Sequence, residues 1–190
     1  MASEKADHGL QLIRSAKDGN QSAMREIYRQ HVKYLTAVCS RYVPNPEDVK
    51  DLLQESFIKI FSSLDSFNHR GNSTFRSWMT KIVVNESLKF LKLNNRLKIT
   101  DITNESPDIP DEEPEIEEIP TSVIFNLIRE LPDGYRTIFN LYAVEGKSHK
   151  EIASMLDIAE STSASQLHRA KAILSSKINE FRKRLEHSSL

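Results

Sequence analysis

Ser148–Lys171 reads SHKEIASMLDIAESTSASQLHRAK, and its caps and spacing decide the fold of the second half of the chain. Ser148 with Glu151 three residues later fits a capping box, in which each side chain satisfies an orphan backbone donor at a helix start. Ile152, Ala153 and Leu156 supply that helix with its apolar stripe. Asp157 stands where a tight turn needs a residue tolerant of left-handed geometry, Ile158 tucks beneath it, and a second helix opens near Glu160 or Ser161. Leu167, Ala170, Ile173, Leu174 and Ile178 recur at helical spacing and are expected to pack inward. Thr162, Ser163, Ser165, Gln166 and Arg169 are expected outward, where hydroxyls and an amide suit base edges and an arginine suits base or phosphate. The pattern is that of a helix-turn-helix and points to DNA. A small helical hairpin with a solvated polar face is the competing reading.

A chain of 190 residues makes one domain or two small ones, and 38% hydrophobic residues suffice for compact cores. Helix formers dominate and alternating apolar–polar runs are scarce, so the expected class is all-α. The single cysteine, Cys39, excludes an internal disulfide and a cysteine-based zinc site, and its apolar helical setting predicts a buried thiol. No stretch approaches the roughly 20 apolar residues of a membrane span, and no signal-peptide core is visible, so an intracellular protein without membrane insertion is expected.

The formal net charge of -1 hides a segregation. Asp101–Pro120 holds nine acidic and no basic residues, so the remainder has 26 basic against 18 acidic, a surplus of eight. The stretch ITDITNESPDIPDEEPEIEEIP carries four of the seven prolines and alternates carboxylates with isoleucines, which is poor core material. It reads as an acidic flexible linker over 94–120, between a first helical domain over 10–93 and a second over 121–186.

In the first domain Met24, Ile27, Tyr28, His31, Leu35, Val38 and Tyr42 keep helical period and stop before Pro44. Asn45–Pro46 is a cap and first-turn pair, Glu47 and Asp48 suit the positive end of the next helix dipole, and Val49, Leu52, Leu53, Phe57, Ile60, Phe61 and Leu64 form its core stripe. The loop SFNHRGNST leads to a third helix with the stripe Phe75, Trp78, Met79, Ile82 and Val83, capped by Ser73 or Thr74. Asp51, Gln54 and Glu55 share one outward patch at i, i+3 and i+4, either a solvated face or a dock for a basic partner helix. Lys81, Asn85 and Lys89, with Lys92 a turn later, form either a solvated lysine face or a row that tracks phosphates. Phe67, Phe75 and Trp78 suit stacking on unpaired bases or core packing. Packing is the commoner fate at helical spacing, which leaves Asn68, His69, Arg70, Asn72 and Ser73 as the better DNA contacts.

The chain resembles bacterial RNA polymerase sigma factors of the extracytoplasmic-function (ECF) group nearly end to end. The resemblance is carried by AKDGNQSAMREIYRQH, EDVKDLLQESFIKIFSSLDSF, FRSWMTKIVVNESLKFLK, LIRELPDGYRTIFNLYAVEGKSHKEIASML and QLHRAK, in that order. It implies a region 2-like first domain and a winged-helix-like, region 4-type helix-turn-helix second domain, with no enzymatic activity, cofactor or metal. Asp51, Gln54 and Glu55, with Leu52 and Phe57, would dock core RNA polymerase. Asn68, His69, Arg70, Asn72, Ser73, Lys81, Asn85 and Lys89 would hold the minus 10 element as it melts. Thr162, Ser163, Ser165 and Gln166 would read the minus 35 element, with Arg169 and Lys171 clamping phosphates. The implied partners are core RNA polymerase, promoter DNA and an anti-sigma factor. The implied protein is a monomer on the polymerase and cytoplasmic, nucleoid-associated when active or held near the membrane by the anti-sigma factor.

The chain departs from the family pattern at Asp157, where glycine is common, and at Ser161, Ala164 and Gln166, where glycine or basic residues are common. Fewer phosphate clamps predict weak DNA binding by the isolated second domain. Two other classes fit the residues less well. A stand-alone helix-turn-helix regulator has no use for the paired DLLQES and FRSWMTKIVVNES segments, and an enzyme finds no P-loop, nucleophile elbow or zinc-ligand spacing here. His31, His149 and His168 are expected in structural or solvated roles.

Overall fold

The computed structural model describes residues 2–68, 74–94, 96–97 and 119–188. It is helical throughout, with no strand among the described residues, and it divides into two compact units, Met1–Phe90 and Leu91–Leu190. The division falls three residues before the expected end of the first domain at Leu93. Most of the expected linker, 98–118, lies outside the described residues.

The first unit is built from α1 (Ala2–Lys17), α2 (Gln21–Tyr42), α3 (Pro46–Ser62), a 3-10 turn (Leu64–Ser66) and α4, which runs on to Leu93 (Phe75–Leu93). Its corners follow from a few residues. Gly19 takes φ 83 and donates to the Ala16 carbonyl while Asn20 N–H reaches back to Ser15, a Schellman closure that ends α1. The Asn20 side chain then accepts from Ser22 and Ala23 N–H and opens α2. Asn45 repeats the device for α3, accepting from Glu47 and Asp48 N–H with Pro46 in the first turn, as the sequence predicts. Thr74, of the two expected caps, accepts from Ser77 N–H at 3.1 Å; Ser73 lies outside the described residues. The core gathers Ile27, Leu35, Val38, Cys39 and Tyr42 of α2, Leu52, Leu53, Phe57 and Ile60 of α3, and Met79, Val83 and Leu88 of α4.

The second unit contains α5 (Thr121–Arg129), α6 (Asp133–Phe139), a π-helical turn continuing α6 (Asn140–Val144), α7 (His149–Leu156) and α8 (Glu160–Ser188). Ile128, Leu131, Ala170 and Leu174 form a core against which Ile124, Leu127, Tyr135, Phe139 and Ile173 pack. Both halves of the Ser148–Glu151 capping box are present, and Asp157 takes φ 60 and ψ 53, so the turn is the one the sequence predicts. A helix-turn-helix results, and the absence of strands among the described residues leaves it without a wing.

Candidate nucleic-acid interface

On α3 the period-3.6 arithmetic separates two faces. Asp51, Gln54 and Glu55 are exposed and adjacent, and none of them is engaged by another described residue. Leu52 and Phe57, expected beside them on the docking surface, are only 3% and 4% exposed. They support the patch from within, Phe57 packing its ring 4.6 Å from Tyr28. Their place in the core stripe excludes a place on the surface.

On α4 Lys81, Asn85 and Lys89 stand exposed on one helix face, each a turn from the next, and none is paired among the described residues. Glu86, on the neighbouring face, is bound by Lys59 of α3, so the carboxylate nearest the row is already occupied. Asn68 is exposed. His69, Arg70, Asn72 and Ser73 lie outside the described residues. The rings bordering the loop form one cluster, with Phe67 5.0 Å from Phe75 and 5.4 Å from Trp78, and Phe75 stacked on Trp78 at 5.6 Å. Phe67 is buried while Phe75 and Trp78 are half-buried, so packing claims these rings without covering two of them. His31 meets Phe75 edge-on, and burial first, then the Arg76 charge, lowers its pKa.

The second helix of the helix-turn-helix corrects the expected reading face. Ser165 and Lys171 are exposed and Arg169 is half-buried, but Thr162, Ser163 and Gln166 are buried at 6%, 0% and 3%. The cause is periodicity: stepping back by four from Leu167 and Ala170 lands on Ser163 and Gln166, and one turn further on Thr162. Ser163 spends its hydroxyl on His149 Nδ1 of α7 at 3.0 Å, a contact that seats α8 on α7. The face left to solvent is Ser161, Ala164, Ser165, His168 and Lys171. In the same first turn of α7 Lys147 and the Ser148 backbone hold the Glu151 carboxylate down to about pKa 2.

Residues 27–97 match the model of Sigma-70 region 2, and residues 123–174 that of Sigma-70, region 4. The ECF RNA polymerase sigma-E factor of Haemophilus influenzae is 28% identical over 190 residues, 94% of this chain and 98% of that one. That of Salmonella typhimurium LT2 is 29% identical over 179 residues, 88% and 92%. The chain belongs to the sigma-70 family, in its ECF group. Among solved structures, the sigma factor RpoE with the anti-sigma factor NepR from Bartonella quintana is 18% identical, covering 82% of this chain and 96% of that one at a TM-score of 0.49.

The chain is therefore an ECF sigma factor, a transcription-initiation protein with DNA-binding regions, and the family is one of regulators and not of catalysts. The region 2 match lies mostly within the first unit and the region 4 match within the second, and the acidic segment falls between the two matches. Among the described residues no group of His, Cys, Asp or Glu is placed to hold a metal, and no helix is long and apolar enough to cross a membrane. Sequence reasoning missed the exposed Ser161, Ala164 and His168, which continuing the apolar stripe back one turn would have revealed.

Proposed function

We propose that this sigma factor binds core RNA polymerase, directs it to particular promoters and promotes melting of the duplex. The observation that carries the reading is the separation of charge in the first unit. Asp51, Gln54 and Glu55 offer acceptors on α3, while Lys81, Asn85 and Lys89 offer donors on α4, and neither set is neutralised by the other. The first set suits a basic helix of the polymerase; the second suits the backbone of the minus 10 element, reached together with Asn68 and the residues that follow it. Opening DNA costs stacking energy, about 1.4 kcal/mol per step, which contacts to an unpaired strand offset. The minus 35 element falls to the exposed face of α8, with Ser165 and its neighbours at base edges and Arg169 and Lys171 at phosphates. The partners are then core polymerase, promoter DNA and an anti-sigma protein that covers these faces, and the site of action is the cytoplasm.

Reconstitution with core enzyme tests this directly. The purified chain should confer initiation at defined promoters. The double variant Asp51→Lys, Glu55→Lys should lose core binding while keeping its helical content. Unchanged core affinity in that variant would refute the docking surface.

A further inference from the structure

Ser161, Ala164, Ser165 and His168 stand exposed at i, i+3, i+4 and i+7 on one face of the first two turns of α8. This face lies inside the stretch 123–174 that matches Sigma-70, region 4. It opens the second helix of the helix-turn-helix, whose N-terminal residues are the ones that meet base edges.

The chemistry of the face is narrow. Bidentate recognition in the major groove takes Arg or Lys for guanine and Asn or Gln for adenine, and over these two turns the face carries none of them. Gln166 is buried and Arg169 half-buried, so neither turns its paired hydrogen-bonding edge to a base. Ala164 is the one apolar side chain of the four, and the apolar feature of the groove is the thymine C5-methyl. Ser165 has a fixed polarity. Its Oγ donates to the Thr162 carbonyl at 3.1 Å, so its single proton is spent and it meets DNA as an acceptor. An acceptor complements an exocyclic amino group and no other feature of a base edge in this groove. Size agrees with chemistry: a helix with its side chains is about 10–12 Å across and the major groove about 12 Å wide. Three short side chains, Ser161, Ala164 and Ser165, therefore let α8 seat close to the groove floor, where the methyl lies.

On the reading of α8 as the helix that enters the minus 35 duplex, we propose that Ala164 and Ser165 direct its readout to A·T pairs. The Ala164 methyl packs against a thymine C5-methyl, and Ser165 Oγ accepts from the N6 amino group of adenine in the same or the adjoining pair. Discrimination then rests on one apolar contact and one single hydrogen bond, with no forked contact to guanine. This goes beyond the general reading by naming the base feature that α8 recognises and the two residues that recognise it.

The test uses holoenzyme reconstituted from the full chain on a promoter located by start-site mapping. Replacing each thymine of the upstream element in turn by uracil removes the C5-methyl and keeps the pairing. Wild type should lose about fourfold in affinity at one thymine, the fold-change of one buried carbon. Ala164→Gly should bind the thymine and uracil forms alike at that position, and Ala164→Ser, which turns the contact polar without loosening the helix as glycine can, should do the same. Replacing each adenine by purine removes the N6 amino group, and at one position it should cost wild type several-fold more than it costs Ser165→Ala. Core affinity and helical content should match wild type in the serine and alanine variants. A uracil scan silent at every thymine would overturn the proposal, as would a uracil effect that survives in both Ala164 variants, or an upstream element with no thymine on either strand. Transversions across the same element separate the two levels. If they lower affinity where uracil does not, the minus 35 role of α8 stands and only thymine reading is lost; if they too are silent, that role fails first and takes this inference with it.

Discussion

Replacing Arg136 by methionine should bring the second unit to the edge of unfolding while leaving the first intact. The Arg136 side chain is 2% exposed, and its guanidinium closes the end of α5: Nη1 donates to the Arg129 carbonyl at 3.1 Å and the Leu131 carbonyl at 2.6 Å, while Nη2 pairs with Asp133. These are carbonyls that a helix terminus leaves without partners, so one cation caps α5 and ties it to α6. Methionine keeps the volume of the stem and removes every donor. Two charged hydrogen bonds at about 1.5–3 kcal/mol each put the cost near 3–6 kcal/mol, with Asp133 losing its partner as well. A unit of about 70 residues has roughly 3.5–10 kcal/mol to lose. The substitution therefore carries it to the edge of folding. The chain supplies its own control, because its one tryptophan, Trp78, lies in α4. Far-ultraviolet circular dichroism should lose helix and show an early transition, while Trp78 fluorescence should keep the wild-type midpoint in urea. A variant within about 1 kcal/mol of wild type by both probes would refute the capping role.

Two further outcomes concern pH. Glu151 has its folded pKa depressed to about 2 from 4.5, so its contribution is complete above about 4.5 and is lost as the pH falls toward 2. Urea midpoints of the second unit should fall across that window, and Glu151→Gln should remove that part of the dependence. Burial, then the Arg76 charge, lowers the pKa of His31, and among the described residues its buried Nδ1 has no hydrogen-bond partner. Its lowered folded pKa gives a contribution that is full above 6.5 and diminishes as the solution is acidified through that value. The Trp78-reported midpoint should drop as the pH is lowered below 6.5 in wild type but stay flatter in His31→Gln.

The helices were legible because local chemistry and tertiary packing agree in this chain. Asn45–Pro46, Ser148 with Glu151, and Asp157 each satisfy a backbone requirement that only a few residue types meet, and each adopts the expected conformation. Cys39 is buried as expected, its thiol pushed up to about 11 chiefly by desolvation. Function was less legible where polarity was taken as a proxy for exposure. Thr162, Ser163 and Gln166 are small or uncharged, so a helix interface accommodates them once a partner such as His149 shares a hydrogen bond with the hydroxyl. Arg136 is the extreme case. Its neighbours DGYR give no sign that a charge belongs inside, and only the carbonyls gathered by the α5–α6 turn explain it.

The rotated face of α8 strengthens the case for tethered action. Exposed Ser161, Ala164, Ser165 and His168 bring no fixed positive charge, Arg169 is half-buried, and only Lys171 is a fully exposed cation in this stretch. Glu160, exposed in the first turn, sets a carboxylate where the helix dipole would otherwise draw a phosphate. One or two phosphate contacts give a salt slope of only about -1 to -2 on duplex DNA, too little for the second unit to hold a promoter alone. On the proposed reading, with α3 docked on polymerase and the first unit holding an unpaired strand, the same weak face would work at an effective concentration set by the scaffold. Selectivity then comes from engaging both elements at their proper spacing, so moving the minus 35 element by half a helical turn should cost more than changing any one of its bases. Equal tolerance of both changes would mean that α8 acts without the tether.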